Sequence, residues 1–304
     1  MNRIWILLLL LACGRGRDAW MESNGHPKVV ATTSQIGYLV REIGGDRVDT
    51  WVLIRGGLDP HSYQLVKGDG ERLDRADLVV ANGLGLEHGA SLAAWLESSP
   101  KVLAVGAQMA PDRLLDLQGR VDPHIWMDVS LWREGVAPIA EALSQVDPAG
   151  APLYAERAQN LTRQLDALHA EIRARVGGLP SERRYLVTSH DAFHYFTRAY
   201  LANDGEATWR ERATAPEGLA PEGQISPADL REVVTYLKQH PVGVIFPETN
   251  VSRDAISRIV LAGSEEGLQV AVCSEPLYGD AMEDDYAASM RHNVDVMVRY
   301  LGAP

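Results

Sequence analysis

At 304 residues the chain is long enough for about two domains of ordinary size, which excludes a small scaffold held together by staples. Its formal net charge of −12 excludes a nucleic-acid binder, which needs a basic face to displace counterions from phosphates. Beyond the first residues no stretch approaches the roughly 20 apolar residues of a membrane helix, so the body of the chain reads as a soluble globular protein.

The first element in chain order is a leader. Arg3 supplies a positive start, residues 4–12 are unbroken apolar, and Leu10-Leu11-Ala12-Cys13 places a small residue before a cysteine. Residues 1–12 therefore read as an export signal and not as a fold element. Their ending resembles the bacterial lipoprotein box, which implies that Cys13 is lipidated and becomes the new N-terminus. Residues 13–26 are polar and unpatterned, as suits a lipidated start followed by a flexible tether. Cys273 is then the only cysteine left, so no intramolecular disulfide is expected, and the apolar run Val270-Ala271-Val272 before it points to a buried thiol.

From Lys28 short β-rich runs alternate with amphipathic helical ones. Residues 29–32, 48–53, 78–81 and 102–105 read as strands, 36–43 and 129–145 as helices, and Gly, Asp or Pro bounds each. That alternation is the signature of a parallel sheet in a first α/β lobe, residues 27–147. The longest helical pattern covers 152–176, with Leu161, Leu165, Leu168, Ile172 and Val176 at spacings of three to four. Asp147-Pro148 precedes it and Gly177-Gly178 with Pro180 ends it, which defines a connecting helix within 148–178. At 1.5 Å per residue it is a rod of about 38 Å, stiff enough to permit small closing motions and no wide hinge. Strands at 185–188, 242–246 and 269–272 and a final helix at 286–301 make a second α/β lobe, residues 179–304. The fold class is therefore α/β: two lobes, each a mainly parallel sheet flanked by helices, joined by one long backbone helix.

Four places put a metal-competent residue just beyond a strand, which is where ligands bind in open α/β sheets. They are Asp59-Pro60-His61-Ser62, Asp122-Pro123-His124-Ile125-Trp126-Met127-Asp128, Ser189-His190-Asp191-Ala192-Phe193-His194 and Tyr278-Gly279-Asp280. Three neutral imidazoles and one carboxylate form an N3O set apt for Zn, Mn, Fe or Co. Asp59 and Asp122, each two residues before a histidine, are candidates to support the ligands or simply to cap their turns. Glu248 ends a strand at the same edge and can accept a hydrogen bond from a ligand histidine or cap a helix. Taken singly, each histidine is more often a satisfied core or loop residue.

Other readings have weaker support. His190 and His194 stand four apart, as in His-Glu-x-x-His hydrolases, but no partner glutamate follows on a helix, and four protein ligands leave no position for a catalytic water. Asn82-Gly83-Leu84-Gly85 offers two glycines of a dinucleotide fingerprint, yet His88 stands where the third would be, and a tight turn explains the pair. His26, His88, His169 and His240 sit in polar or helical contexts and are expected to be solvated, and His292 on the last helix to be structural.

The four motifs, in this order and extended to Asp-Pro-His-Ser-Tyr, Asp-Pro-His-Ile-Trp-Met-Asp, Ser-His-Asp-Ala-Phe-His-Tyr-Phe and Leu-Tyr-Gly-Asp-Ala-Met, resemble the TroA-like zinc- and manganese-type solute-binding lipoproteins of ABC transporters. The resemblance spans nearly all of residues 28–301. It implies a C-shaped pair of lobes and a non-enzymatic receptor for one divalent transition metal ion, held by His61, His124, His190 and Asp280. It implies further a lipid-anchored extracytoplasmic monomer whose partners are a permease and its ATPase. Three features depart from the family or narrow it. Glu283-Asp284-Asp285 replaces a glycine-rich stretch, so Asp284 or Asp285 competes with Asp280 as a candidate. Residues 106–120 lack the histidines of the loop that zinc-specific relatives often carry. His190 stands where manganese-specific relatives often have glutamate, while 209–225, with Pro216 to Glu222, is similar to a branch linked to iron. Zn, Mn and Fe all remain candidate cargoes. Several relatives are also adhesins, but no exposed apolar patch or repeat supports that role here.

Overall fold

The structure is a computed structural model that describes residues 19–117, 119–221, 225–240 and 242–302. The export signal, Cys13 and the first part of the tether lie outside the described residues.

The apolar run after Pro27 forms β1 (Lys28–Ala31), and Thr33 caps α1 (Ser34–Gly44) by accepting the Ile36 N–H through its hydroxyl. Gly45, at φ +56°, ends that helix in a conformation glycine adopts readily. Then follow β2 (Asp49–Val52), α2 (Asp69–Arg75), β3 (Leu78–Ala81), α3 (Ala90–Ser98) and β4 (Val102–Ala104). The four strands form one parallel sheet in the order β2-β1-β3-β4. Period-2 alternation sorts their side chains: Val29, Ala31 and Val80 enter the main core, while Val30 and Val79 turn to an outer cluster with Leu53, Leu73 and Leu92.

A short antiparallel hairpin, β5 (Asp116–Leu117) with β6 (Arg120–Val121), leads to α4 (Val129–Trp132) and α5 (Val136–Val146). The sequence predicts one helix over 129–145, but a 3-10 turn at Arg133–Gly135 divides it. Pro138 is the reason: it lacks the N–H that a continuous helix would bond to the Glu134 carbonyl, and its ring would clash there. In the first turn of a new helix the missing donor costs nothing.

The connecting helix α6 (Ala151–Gly177) has 27 residues and is about 40 Å long. It buries Tyr154, Ala158, Leu161, Leu165, Leu168, Ile172 and Val176, spaced four or three apart along one face. That face packs on α1, α4 and α5 on one side, and on the last helix and the π-helical turn Thr197–Leu201 on the other. One hydrophobic core consequently runs from Val29 in the first lobe through α6 to Leu301 in the second. The helix is a shared spine.

The second lobe holds β7 (Leu186–Val187), α7 (His194–Phe196), β8 (Ala213–Thr214), α8 (Pro227–Gln239), β9 (Val244–Ile245), α9 (Asp254–Glu265), β10 (Ala271–Val272) and α10 (Tyr286–Leu301). β7 pairs with β8 and β9 with β10, both in parallel, and the Phe246 N–H donates to the Val187 carbonyl at 2.9 Å to join the pairs. Here too faces alternate, with Leu186 and Val244 in the main core and Val187 and Ile245 in an outer cluster under α8 and α9. Cys273 is buried and unbridged, as its apolar setting predicts.

Two histidines read as solvated are not. His169 on α6 lies 2.9 Å from the Tyr200 hydroxyl, and burial lowers its pKa. His240 stacks on Tyr185, with ring centroids 4.3 Å apart, because it follows the end of α8 beside that residue, which immediately precedes β7.

Candidate metal centre

All four sequence-predicted ligands lie beyond the C-terminal ends of strands, three of them strands of the parallel sheets and, for His124, the hairpin strand β6. His61 follows β2. Its turn is set by Asp59, whose Oδ1 accepts the His61 N–H at 2.9 Å and whose Oδ2 accepts the Ser62 hydroxyl at 2.6 Å. His124 sits in the same Asp-Pro-His turn, its N–H donating to Asp122 Oδ1 at 2.9 Å. Here the carboxylate does more, because Oδ1 also lies 2.7 Å from His124 Nδ1. The two motifs therefore differ in role: Asp122 reaches the imidazole, and Asp59 reaches only backbone and hydroxyl.

His190 leaves the end of β7. Its Nδ1 stands 2.7 Å from Glu248 Oε2, and Glu248 Oε1 accepts the N–H groups of Ser189 and His190 at 3.0 and 2.9 Å. Glu248 thus serves the histidine and caps no helix. Asp280 completes the group on the loop after β10, where Gly279 is required: a Cβ there would meet Glu248 Oε2 at 2.1 Å. The loop is fastened across the lobes, for Gln35 Nε2 donates to the Asp280 carbonyl at 2.6 Å and Trp126 Nε1 to the Gly279 carbonyl at 3.2 Å.

The result is a nest of donors. Asp280 Oδ1 lies 3.1 Å from His124 Nε2, and Oδ2 lies 3.1 Å from His190 Nε2 and 3.5 Å from His61 Nε2. One ligand atom from each of the four residues falls within 4.8 Å of every other. His61, His124, His190 and Asp280 are 1, 0, 0 and 2% exposed, so bulk solvent does not reach them. None of the three Nε2 atoms or the two Asp280 oxygens has a well-formed hydrogen bond among the described residues. A cluster of buried N and O donors without hydrogen bonds of their own is suited to hold a cation, and Zn–N and Zn–O bonds of about 2.0–2.2 Å fit one at their centre.

The electrostatics are equally pointed. Burial alone would raise the Asp280 pKa, but the His190 and His124 rings outweigh it and hold the carboxyl well below its ordinary value. Burial opposes a charged His124, yet Asp122 and then Asp280 raise its pKa to about 9. His190 is raised well above its usual value against the same burial, by Asp280 and Glu248. Asp122, also buried, is brought down to about 2 by His124 and His194.

Other candidates fall elsewhere. Asp284 is exposed and pairs with Arg41, and Asp285 caps α10 through the Ala288 N–H at 3.0 Å, so neither competes with Asp280. His194 lies outside the four-residue nest and turns its Nδ1 to Asp122 Oδ2 at 3.2 Å. Residues 82–85 form the expected tight turn, with Gly83, Leu84 and Gly85 all at positive φ. Gln35 and Trp126 were not singled out from sequence; their signal was position, Gln35 following β1 at the ligand edge and Trp126 two residues beyond a ligand.

Two α/β lobes that close a buried ion-sized nest of N and O donors define a solute-binding protein for a metal cation. Residues 29–300 match the profile of zinc-uptake complex component A, periplasmic (ZnuA). The chain is 36% identical to the metal-binding protein YtgA of Chlamydia pneumoniae, over 98% of this chain and 94% of that one. The crystal structure of Fe(III)-bound YtgA from Chlamydia trachomatis superposes with a TM-score of 0.87 at 38% identity, covering 91% of this chain and 99% of the other. The periplasmic zinc-binding protein TroA from Treponema pallidum gives 0.84 at 33% identity, with the same coverage. The chain belongs to the ZnuA family, the solute-binding components of metal ABC transporters.

Proposed function

We propose that this protein captures one transition metal ion outside the cytoplasm with His61 and His124 of the first lobe and His190 and Asp280 of the second. Asp122 and Glu248 orient the His124 and His190 rings. The observation that carries the reading is the convergence of four buried donors from opposite lobes within 4.8 Å. The units are a lobe at 27–147, a connecting helix within 148–178 and a lobe at 179–304. A tether at 13–26 is lipidated at Cys13 after removal of residues 1–12. The loaded monomer docks on a membrane permease, whose ATPase drives release of the ion. No reaction is catalysed, because four protein ligands fill a tetrahedral site and leave no position for an attacking water.

Zn, Mn and Fe all suit the donor set, and affinity alone follows the Irving–Williams order whatever the cargo. Elemental analysis of protein purified from its native envelope, without added metal, identifies the ion. The site itself is tested by titrating Zn(II) into chelator-treated protein: His61→Ala and His190→Ala should each lose most of the metal-induced rise in melting temperature. An undiminished rise in both would overturn the assignment.

A further inference from the structure

We propose that His194 is a positioning residue: it fixes the His124 ring through Asp122 and so links the half-site of one lobe to that of the other. The inference rests on the metal-site reading above.

Asp122 has two oxygens with separate tasks. Oδ1 takes the His124 N–H and ring Nδ1, at 2.9 and 2.7 Å, and Oδ2 faces His194 Nδ1 at 3.2 Å. A carboxylate held at one oxygen only can rotate about its Cβ–Cγ bond; held at both, it cannot. The His124 ring, fixed by that carboxylate, then aims Nε2 at Asp280 Oδ1, 3.1 Å away. His194 comes from the opposite lobe, on α7, four residues beyond the ligand His190. Its Nε2 side faces Asp191 Oδ1 at 3.9 Å, so carboxylates of both lobes flank the ring.

The next residue reinforces the link. The Tyr195 hydroxyl donates to the Asp122 carbonyl at 3.0 Å and accepts the Leu115 N–H at 3.0 Å. Consecutive side chains of α7 therefore grip the carboxylate and the backbone of one N-lobe residue. Tyr195 is fully buried and anchors the segment, whereas the His194 side chain keeps 14% exposure and adds little to the core. What His194 supplies beyond Tyr195 is a directed contact to the carboxylate that orients a ligand. Partners of ligand histidines are worth about ten- to a hundred-fold in metal affinity when removed.

The test compares His194→Ala, His194→Asn, Asp122→Asn and the pair His194→Ala with Asp122→Asn, by Zn(II) competition against a chelator. Melting of the metal-free proteins and the visible spectrum of the Co(II) forms are read alongside. Asn carries an amide N–H close to the place of the imidazole Nδ1 and should restore the contact. The expected result is a ten- to hundred-fold loss of Zn(II) affinity and an altered Co(II) spectrum in His194→Ala, with metal-free melting unchanged. His194→Asn should return to within about three-fold of the parent, and His194→Ala should add no loss once Asp122 is Asn. Unchanged affinity in His194→Ala overturns the proposal. So does a loss that tracks lower metal-free melting without rescue by Asn, or one that adds in full to that of Asp122→Asn. His124→Ala separates the two readings: if it too binds Zn(II) normally, the site assignment falls and this proposal with it, whereas a normal defect there beside an unaffected His194→Ala refutes the positioning role alone.

Discussion

Raising the pH should weaken the metal-free protein and leave the loaded one nearly unchanged. In the metal-free protein His124 is held at about 9, against an ordinary value of about 6.5. A group raised on folding contributes stability that is complete below its unfolded pKa and is lost as pH climbs through its folded one. That rise corresponds to about 3 kcal/mol, of which about 2 kcal/mol disappears between pH 7 and pH 9. His190 acts in the same direction. Burial also raises Asp191 to about 6 and Glu217 to about 7, but their losses are largely complete by pH 7, and Glu87, which burial raises too, contributes equally to the His124→Gln control. For a chain of this size, 2 kcal/mol is a fall of about 4 °C in melting temperature. Calorimetry of chelator-treated protein at pH 7, 8 and 9 measures it. With Zn(II) in excess the fall should disappear, because the ion binds deprotonated ligands and its stabilisation grows by about as much as the metal-free protein loses. A flat or rising metal-free profile refutes the reasoning, and so does an identical fall in His124→Gln.

Glu248→Gln removes the carboxylate charge beside His190 Nδ1 and should cost about ten- to a hundred-fold in Zn(II) affinity by chelator competition. Asp59→Ala removes a turn cap alone and should cost about 1 kcal/mol in urea unfolding, with Zn(II) affinity within about three-fold of the parent. Leu165→Ala, in the buried face of α6, should cost about 2–5 kcal/mol in urea unfolding, since the cavity opens in the core that both lobes share.

The sequence made the strand-end motifs legible because residue type, spacing and predicted strand ends pointed to one edge of the sheets. It could not rank Asp59 against Asp122: the two tripeptides are identical, and only the tertiary path brings one carboxylate to an imidazole. The long helix was readable from its apolar repeat, whereas the break before α5 had its signal in Pro138, which the apolar pattern around it masks. His194 drew notice only for its spacing from His190; His190 sits at a strand end and α7 begins only at His194, and nothing local points from His194 to Asp122. Contacts between residues far apart in the chain, such as Gln35 with Asp280 and Trp126 with Gly279, leave no local pattern.

A buried site must exchange its ion without stranding charge in a region that solvates it poorly. His124 is raised to about 9 and His190 well above its ordinary value, so before the ion binds at neutral pH each ring is expected to carry one proton more than a neutral imidazole, around the ionised Asp280. Entry of M²⁺ with loss of both protons leaves the net charge of the nest unchanged, and so avoids the several kcal/mol of desolvation that an uncompensated buried charge would cost. A trivalent ion would leave one positive charge in excess unless a third proton left. The expected stoichiometry is therefore about two protons released per Zn(II) at pH 7, falling as the pH rises past 9 and His124 gives up its proton beforehand. Titration calorimetry in buffers of different ionisation enthalpy counts the protons directly. Release of no protons at pH 7 would mean that the imidazoles are neutral before the ion arrives, and that the closed nest is held by something other than proton-mediated pairing with Asp280.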